Sequence, residues 1–148
     1  MRWVVAAMAV GVSLAALEEL RKLLEDAGLE IDYDRPAADQ PAAVAEFIRM
    51  EADYEAAYLL SIRAAWMADN KMPNSLEASM SKAKAGRTGT DVTNKAVELA
   101  STYGYSERSL LEKWARDSKI LDIFEGTQQI QQLIIARRIL GKSSAELK

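Results

Sequence analysis

Glu125 is the side chain best placed to do chemistry. It sits in Leu121-Asp122-Ile123-Phe124-Glu125-Gly126-Thr127, a short loop between two helical stretches, beside an aromatic and before a glycine. Such a glycine lets a ligand or another backbone come close. Ile123 and Phe124 predict a partly dry pocket around the carboxylate. Desolvation disfavours the ionised form of a carboxyl group and strengthens it as a base near neutral pH. The bland alternative is a carboxylate kept near a helix start by the helix dipole. The chain has no Cys and no His, which excludes thiol nucleophiles, Ser-His-Asp triads and His-ligated zinc. Acid–base work then falls to Asp, Glu, Lys or Tyr. Glu51 and Glu55 stand four apart on one helix stripe. Without His, pairing with Arg or Lys across a bundle is the favoured reading of these two, and no metal site is expected.

The elements that must position Glu125 read as helices, with no convincing strand. An apolar run from Trp3 to Leu17 passes without a break into an amphipathic stretch, giving a first helix over Trp3 to Ala27 with Gly28 as its cap. That run has the length of a secretory h-region and is too short to span a bilayer. Its unbroken continuation favours a buried first helix and a cytoplasmic protein. The segment Leu29 to Gln40, broken at Pro36, is a loop or short turn. A second helix over Pro41 to Asn70 carries Val44, Phe47, Ile48, Tyr54, Tyr58, Leu59, Ile62 and Trp66 on one stripe. Pro73-Asn74-Ser75 starts a third helix, to Ala100, whose Ala78, Ala83, Ala85, Gly86 and Gly89 predict close packing of another helix or a ligand. A shorter helix over Glu107 to Lys119 follows Tyr103-Gly104-Tyr105. The last runs from Thr127 to Leu140, capped by Gly141 and apolar on two sides, so a second domain or subunit is expected on one of them.

The fold class is therefore all-α: an antiparallel up-down bundle of three long helices and a C-terminal pair. At 148 residues and 16.3 kDa the chain reads as one domain over 1–148. The net charge of -3 and pI near 5.1 argue against a nucleic-acid binder. The C-terminal third is the more basic part and could face the phosphates of a cofactor, or be a mixed solvated surface.

Several segments resemble the acyl-CoA dehydrogenase family. Arg116-Asp117-Ser118-Lys119-Ile120 is similar to its R-D-A-K-I, with Ser118 for the Ala. Phe124-Glu125-Gly126-Thr127, followed by Ile130-Gln131 and Ile135-Ala136-Arg137, is similar to its Y-E-G-T-x-x-I-Q and I-A-R, with Phe124 for the Tyr. Val4 to Leu17 resembles the start of the family's C-terminal domain, Glu55 to Leu60 its E-A-A-R-L-L, and Tyr103-Gly104-Tyr105 its Y-G-Y turn. The resemblance implies an FAD-dependent oxidoreductase of lipid metabolism that oxidises an acyl-CoA thioester to the trans-2-enoyl-CoA. Glu125 matches the catalytic base, Thr127 and Gln129 match positions that contact FAD, and Phe124 and Gly126 lie at the substrate. Electron-transfer flavoprotein or a similar acceptor would take the electrons.

Two features temper this. The family has an N-terminal helical domain and a β domain that this chain lacks, so the chain alone is not expected to catalyse. The half of the family pattern that reaches a neighbouring subunit's FAD is also degenerate. Arg35 is followed by Pro36-Ala37-Ala38 instead of ending in Phe-Gly, Glu98 stands for a Gln, and Ser101-Thr102 for two Gly. That split resembles the catalytic subunits of actinobacterial hetero-oligomeric acyl-CoA dehydrogenases, in which a partner supplies the missing contacts; drift within a homo-oligomer is the other reading. A non-catalytic oligomerisation module, with Glu125 a relic, is the competing function.

Overall fold

The computed structural model describes residues 2–146. Five α-helices and one 3-10 turn, and no strand, make up its regular structure among the described residues: α1 (Arg2–Asp26), the 3-10 turn (Ala37–Asp39), α2 (Ala42–Asp69), α3 (Ser75–Gly104), α4 (Leu111–Ile123) and α5 (Gln128–Leu140). The all-α expectation holds. The helix α3 is the hub, packing against all four others, while α5 rests mainly on α3.

The apolar N-terminal run becomes one side of the core. Val5, Ala6, Ala9, Val10, Ala16, Leu17, Leu20 and Leu24 are buried on α1. Leu17, Leu20 and Leu24 join Phe47, Met50, Val92, Val97 and Leu111, contributed by α2, α3 and α4. Full burial of each such large side chain is worth about 1.5–3 kcal/mol. By length and composition α1 would suffice to cross a membrane. Its buried face is instead taken by α2, α3 and α4. Gly28, at φ +76, ends it: its N–H bonds Glu25 O and that of Leu29 bonds Leu24 O, a Schellman closure.

The small residues of α3 let two helices approach. A Cβ on Gly86 would lie 3.1 Å from Asp122 Cα on α4, and one on Gly89 3.4 Å from Ala9 Cβ on α1. Close helix packing thus accounts for Gly86, whereas a Cβ at Gly89 would make only an ordinary contact. Buried hydroxyls bridge α3 to α2 and to α4: Ser61 Oγ lies 3.1 Å from Ser81 Oγ, and Thr93 Oγ1 2.9 Å from Ser118 Oγ. The second pair gives the Ser at position 118 a bonded role.

Two expectations need correction. The helix α4 begins at Leu111, not Glu107, and ends at Ile123, not Lys119. Serines hold the preceding turn: Ser106 Oγ donates to Tyr103 O and accepts from Arg108 N, and Ser109 Oγ accepts from Leu111 N. The apolar stripe of α2 faces inward only in its first half. Tyr58, Leu59, Ile62 and Trp66 are exposed, and Ala57, Ser61, Ala64 and Met67 face inward in their place. Of the two-sided α5, Ile134 and Ile135 are half-buried as it packs on α3, Ile130, Leu133 and Ile139 are exposed, and Gln131 is the one fully buried residue of the helix.

Candidate functional site

The candidate site is the loop between α4 and α5. The last turn of α4 is tied down from α3: the Lys82 ammonium donates to Asp122 O at 3.0 Å. Phe124 N then closes the helix on Ile120 O at 3.0 Å. The chain turns through two successive positive-φ residues, Glu125 at +58° and Gly126 at +100°. The first is uncommon for a residue with a Cβ. Gly126 is required twice over, by its φ and because a Cβ there would run into Gln131 Nε2.

Gln131 holds this turn in place. It is 1% exposed, and its Nε2 donates to Glu125 O at 3.1 Å and Gly126 O at 3.2 Å. One buried amide therefore satisfies both carbonyls of the strained pair. Thr127 occupies the N-cap position of α5 without a side-chain capping bond, and Gln131 N bonds its carbonyl. The Oε1 atoms of Gln128 and Gln131 are buried without a hydrogen-bond partner among the described residues.

The predicted site residues gather as far as adjacency allows. Phe124, Glu125, Gly126, Thr127 and Gln129 line one corner, from the end of α4 to the first turn of α5. The partly dry pocket does not form within this chain. Glu125 and Gln129 are exposed, and Phe124 is 37% exposed. Ile123 and Phe124 point outward, so no apolar wall of this domain covers the carboxylate. What the geometry offers is a carboxylate on a fixed backbone, able to accept a proton from something brought against it.

Sequence reasoning passed over Gln131 and Lys82. Gln131 lies in the Ile130-Gln131 pair of the motif, yet a polar residue among isoleucines reads as the solvent side. Lys82 lies in an Ala-rich run where nothing in the composition signals a buried cation.

Other candidates resolve simply. Glu51 pairs across the bundle with Arg21 at 2.5 Å and accepts from Tyr33 Oη at 2.6 Å, while Glu55 is exposed. Burial and the bond to Glu51 raise the Tyr33 hydroxyl above the ordinary tyrosine value. Arg35 pairs with Asp32 at 3.6 Å, and Glu98 with Lys95 at 2.6 Å. Ser101 breaks α3 at φ +52, ψ -132. The turn after it needs Gly104, where a Cβ would meet Val97 O at 2.5 Å.

Residues 1–140 match the family described as acyl-CoA dehydrogenase, C-terminal domain. The chain is 34% identical over 138 residues to the caffeyl-CoA reductase-Etf complex subunit CarC of Acetobacterium woodii, covering 93% of this chain and 36% of CarC. It is 33% identical over 141 residues to the probable acyl-CoA dehydrogenase YngJ of Bacillus subtilis, covering 92% and 35%. Its fold matches butyryl-CoA dehydrogenase from Megasphaera elsdenii with a TM-score of 0.83 at 29% identity, covering 94% of this chain and 36% of that one. The chain thus spans little more than a third of the length of these relatives. With this helical architecture and these matches, the chain belongs to the acyl-CoA dehydrogenase family and corresponds to its C-terminal helical domain.

Proposed function

We propose that this domain supplies the base of a flavin-dependent acyl-CoA dehydrogenase, with Glu125 taking the α-proton of an acyl-CoA thioester. The observation that carries the reading is the Glu125–Gly126 turn, clamped at two positive φ values by Gln131. A base works only when it is held within reach of its proton, and a fixed backbone supplies that placement. The α-proton becomes removable once the thioester carbonyl is polarised; by resemblance the Glu125 backbone N–H would donate to it. Phe124 and Gly126, on either side of the carboxylate, would lie along the thioester. The walls missing around Glu125 would come from the other domains, so the domain alone would not catalyse.

FAD is the cofactor implied, and the first turn of α5 fits it. Thr127 has no capping bond, and the orphaned Gln128 Oε1 leaves acceptor capacity beside it. Thr127 and Gln129 would hold the flavin. When bound, FAD would accept the hydride that leaves the β-carbon. Electron-transfer flavoprotein is the acceptor of choice; the Etf in the name of the similar CarC complex supports it.

In the full-length flavoprotein, Glu125→Gln should keep FAD and ligand bound and lose flavin reduction by acyl-CoA. Loss of a positioned base costs about 10²–10⁴-fold. Retained reduction would move the base elsewhere and leave this domain the role of an assembly module.

A further inference from the structure

Lys82 is fully buried, and among the described residues its ammonium makes one hydrogen bond, to the main-chain carbonyl of Asp122. Burying an ammonium group costs several kcal/mol unless it is well compensated. The carboxylate of the same Asp122 pairs instead with Lys119, whose Nζ is 3.4 Å from Oδ2, while Oδ1 has no hydrogen-bond partner among the described residues. Burial accordingly holds the Lys82 amine below the ordinary lysine value, with Asp122 opposing. A methionine would fill the same space without a charge to desolvate. What only the lysine supplies is a donor, and a positive charge, at the carbonyl end of α4, where a cation is favoured.

That carbonyl belongs to the residue three before Glu125. Gly86, one turn beyond Lys82 on α3, lets Asp122 Cα come close enough for the bond. From the other side Gln131 takes the carbonyls of Glu125 and Gly126. Two buried side chains, from α3 and α5, thus grip the backbone on both sides of the exposed carboxylate. We propose that Lys82 is a positioning residue for Glu125, fixing the end of α4 so that the turn carrying the carboxylate has one placement. This rests on the reading of Glu125 as the base. It gives the lysine a consequence for the reaction that a packing residue would not have.

The test compares Lys82→Met with the unaltered full-length flavoprotein, with Glu125→Gln in parallel. Expected are intact FAD content and acyl-CoA affinity, and a 10- to 100-fold slower flavin reduction, the size of effect a small misplacement of a reacting group produces. Amide hydrogen exchange over residues 123–127 should speed up at least 10-fold, about 1.4 kcal/mol, while exchange in α1 and the second half of α3 is unchanged. Unchanged exchange and an unchanged reduction rate would overturn the proposal. So would a loss confined to acyl-CoA affinity. If Lys82→Met does not fold, Lys82→Gln, which keeps a polar head too short to reach Asp122, is read in the same way. Failure of both to fold would assign the lysine to folding and overturn the proposal. An active Glu125→Gln with altered exchange in Lys82→Met would sink the base and leave the anchoring intact.

Discussion

Residues that break local rules mark where this domain is specialised. Glu125 and Ser101 both hold a positive φ with a Cβ attached. Such conformations cost about 1–3 kcal/mol each. At Glu125 the cost is offset by Gln131, which satisfies two carbonyls from a buried position. At Ser101 no side-chain hydrogen bond among the described residues offsets the cost. The Ser101 backbone suits glycine, which is the residue the family pattern has there. Ser101→Gly should therefore stabilise the protein by about 1 kcal/mol, raising Tm by about 2–4 °C for a chain of this size or larger. Calorimetry decides it; an unchanged or lower Tm would mean that the strain is relieved by something the hydroxyl does.

At the scale of elements, two glycines of α3 that look alike in sequence differ in how closely the neighbouring helix approaches them. Gly86 faces the backbone of α4, with Asp122 Cα and Leu121 O at 3.1 and 3.2 Å from an added Cβ. Gly89 faces Ala9 of α1, whose methyl, carbonyl oxygen and Cα would lie 3.4, 3.5 and 3.7 Å from an added Cβ, all ordinary contacts. Either Gly→Ala change gains up to about 1 kcal/mol of helix propensity. At Gly86 the α4 backbone must move, and overpacking costs about 1–3 kcal/mol. Gly86→Ala should lower Tm and loosen the Lys82–Asp122 bond, whereas Gly89→Ala should be neutral or stabilising. Equal effects in thermal melts would refute the distinction. The same scale explains what the sequence discloses. The three long helices are legible because proline, glycine and an unbroken apolar run mark their ends. The start of α4 is not, because Ser106 and Ser109 bond nearby backbone groups and hold a turn where propensity favours helix. Periodicity also misplaces the second half of α2, since Trp66 and Leu59 form a stripe as regular as a core face while Ala64 and Ser61 take the inner one. In the site, Glu125 is legible through its motif; Lys82 and Gln131 are not, because burial reverses the usual meaning of polar side chains.

The relatives are almost three times as long as this chain, and the assembly we propose follows from how this domain departs from the family pattern. In the proposed function, Glu125, Thr127 and Gln129 would form one half of a flavin site at the α4–α5 corner. The half that would reach a neighbour's FAD is altered at each position. Arg35 is engaged with Asp32 in the loop before α2. Glu98 presents a carboxylate, partly balanced by Lys95, where an uncharged amide would meet a pyrophosphate. Ser101 and Thr102 add Cβ atoms where two glycines would allow a phosphate to come close. Like charge and lost space act in the same direction, and Lys95 offsets only the first. The full-length subunit should therefore bind FAD poorly alone. With a partner subunit that carries the phosphate contacts, it should bind one FAD per pair, using Glu125 from this chain. Bound flavin measured against protein, in the separate subunit and in the purified complex, tests this. One FAD per subunit in a homo-oligomer would show that Glu98, Ser101 and Thr102 are tolerated at a working site, and the changes would then be drift.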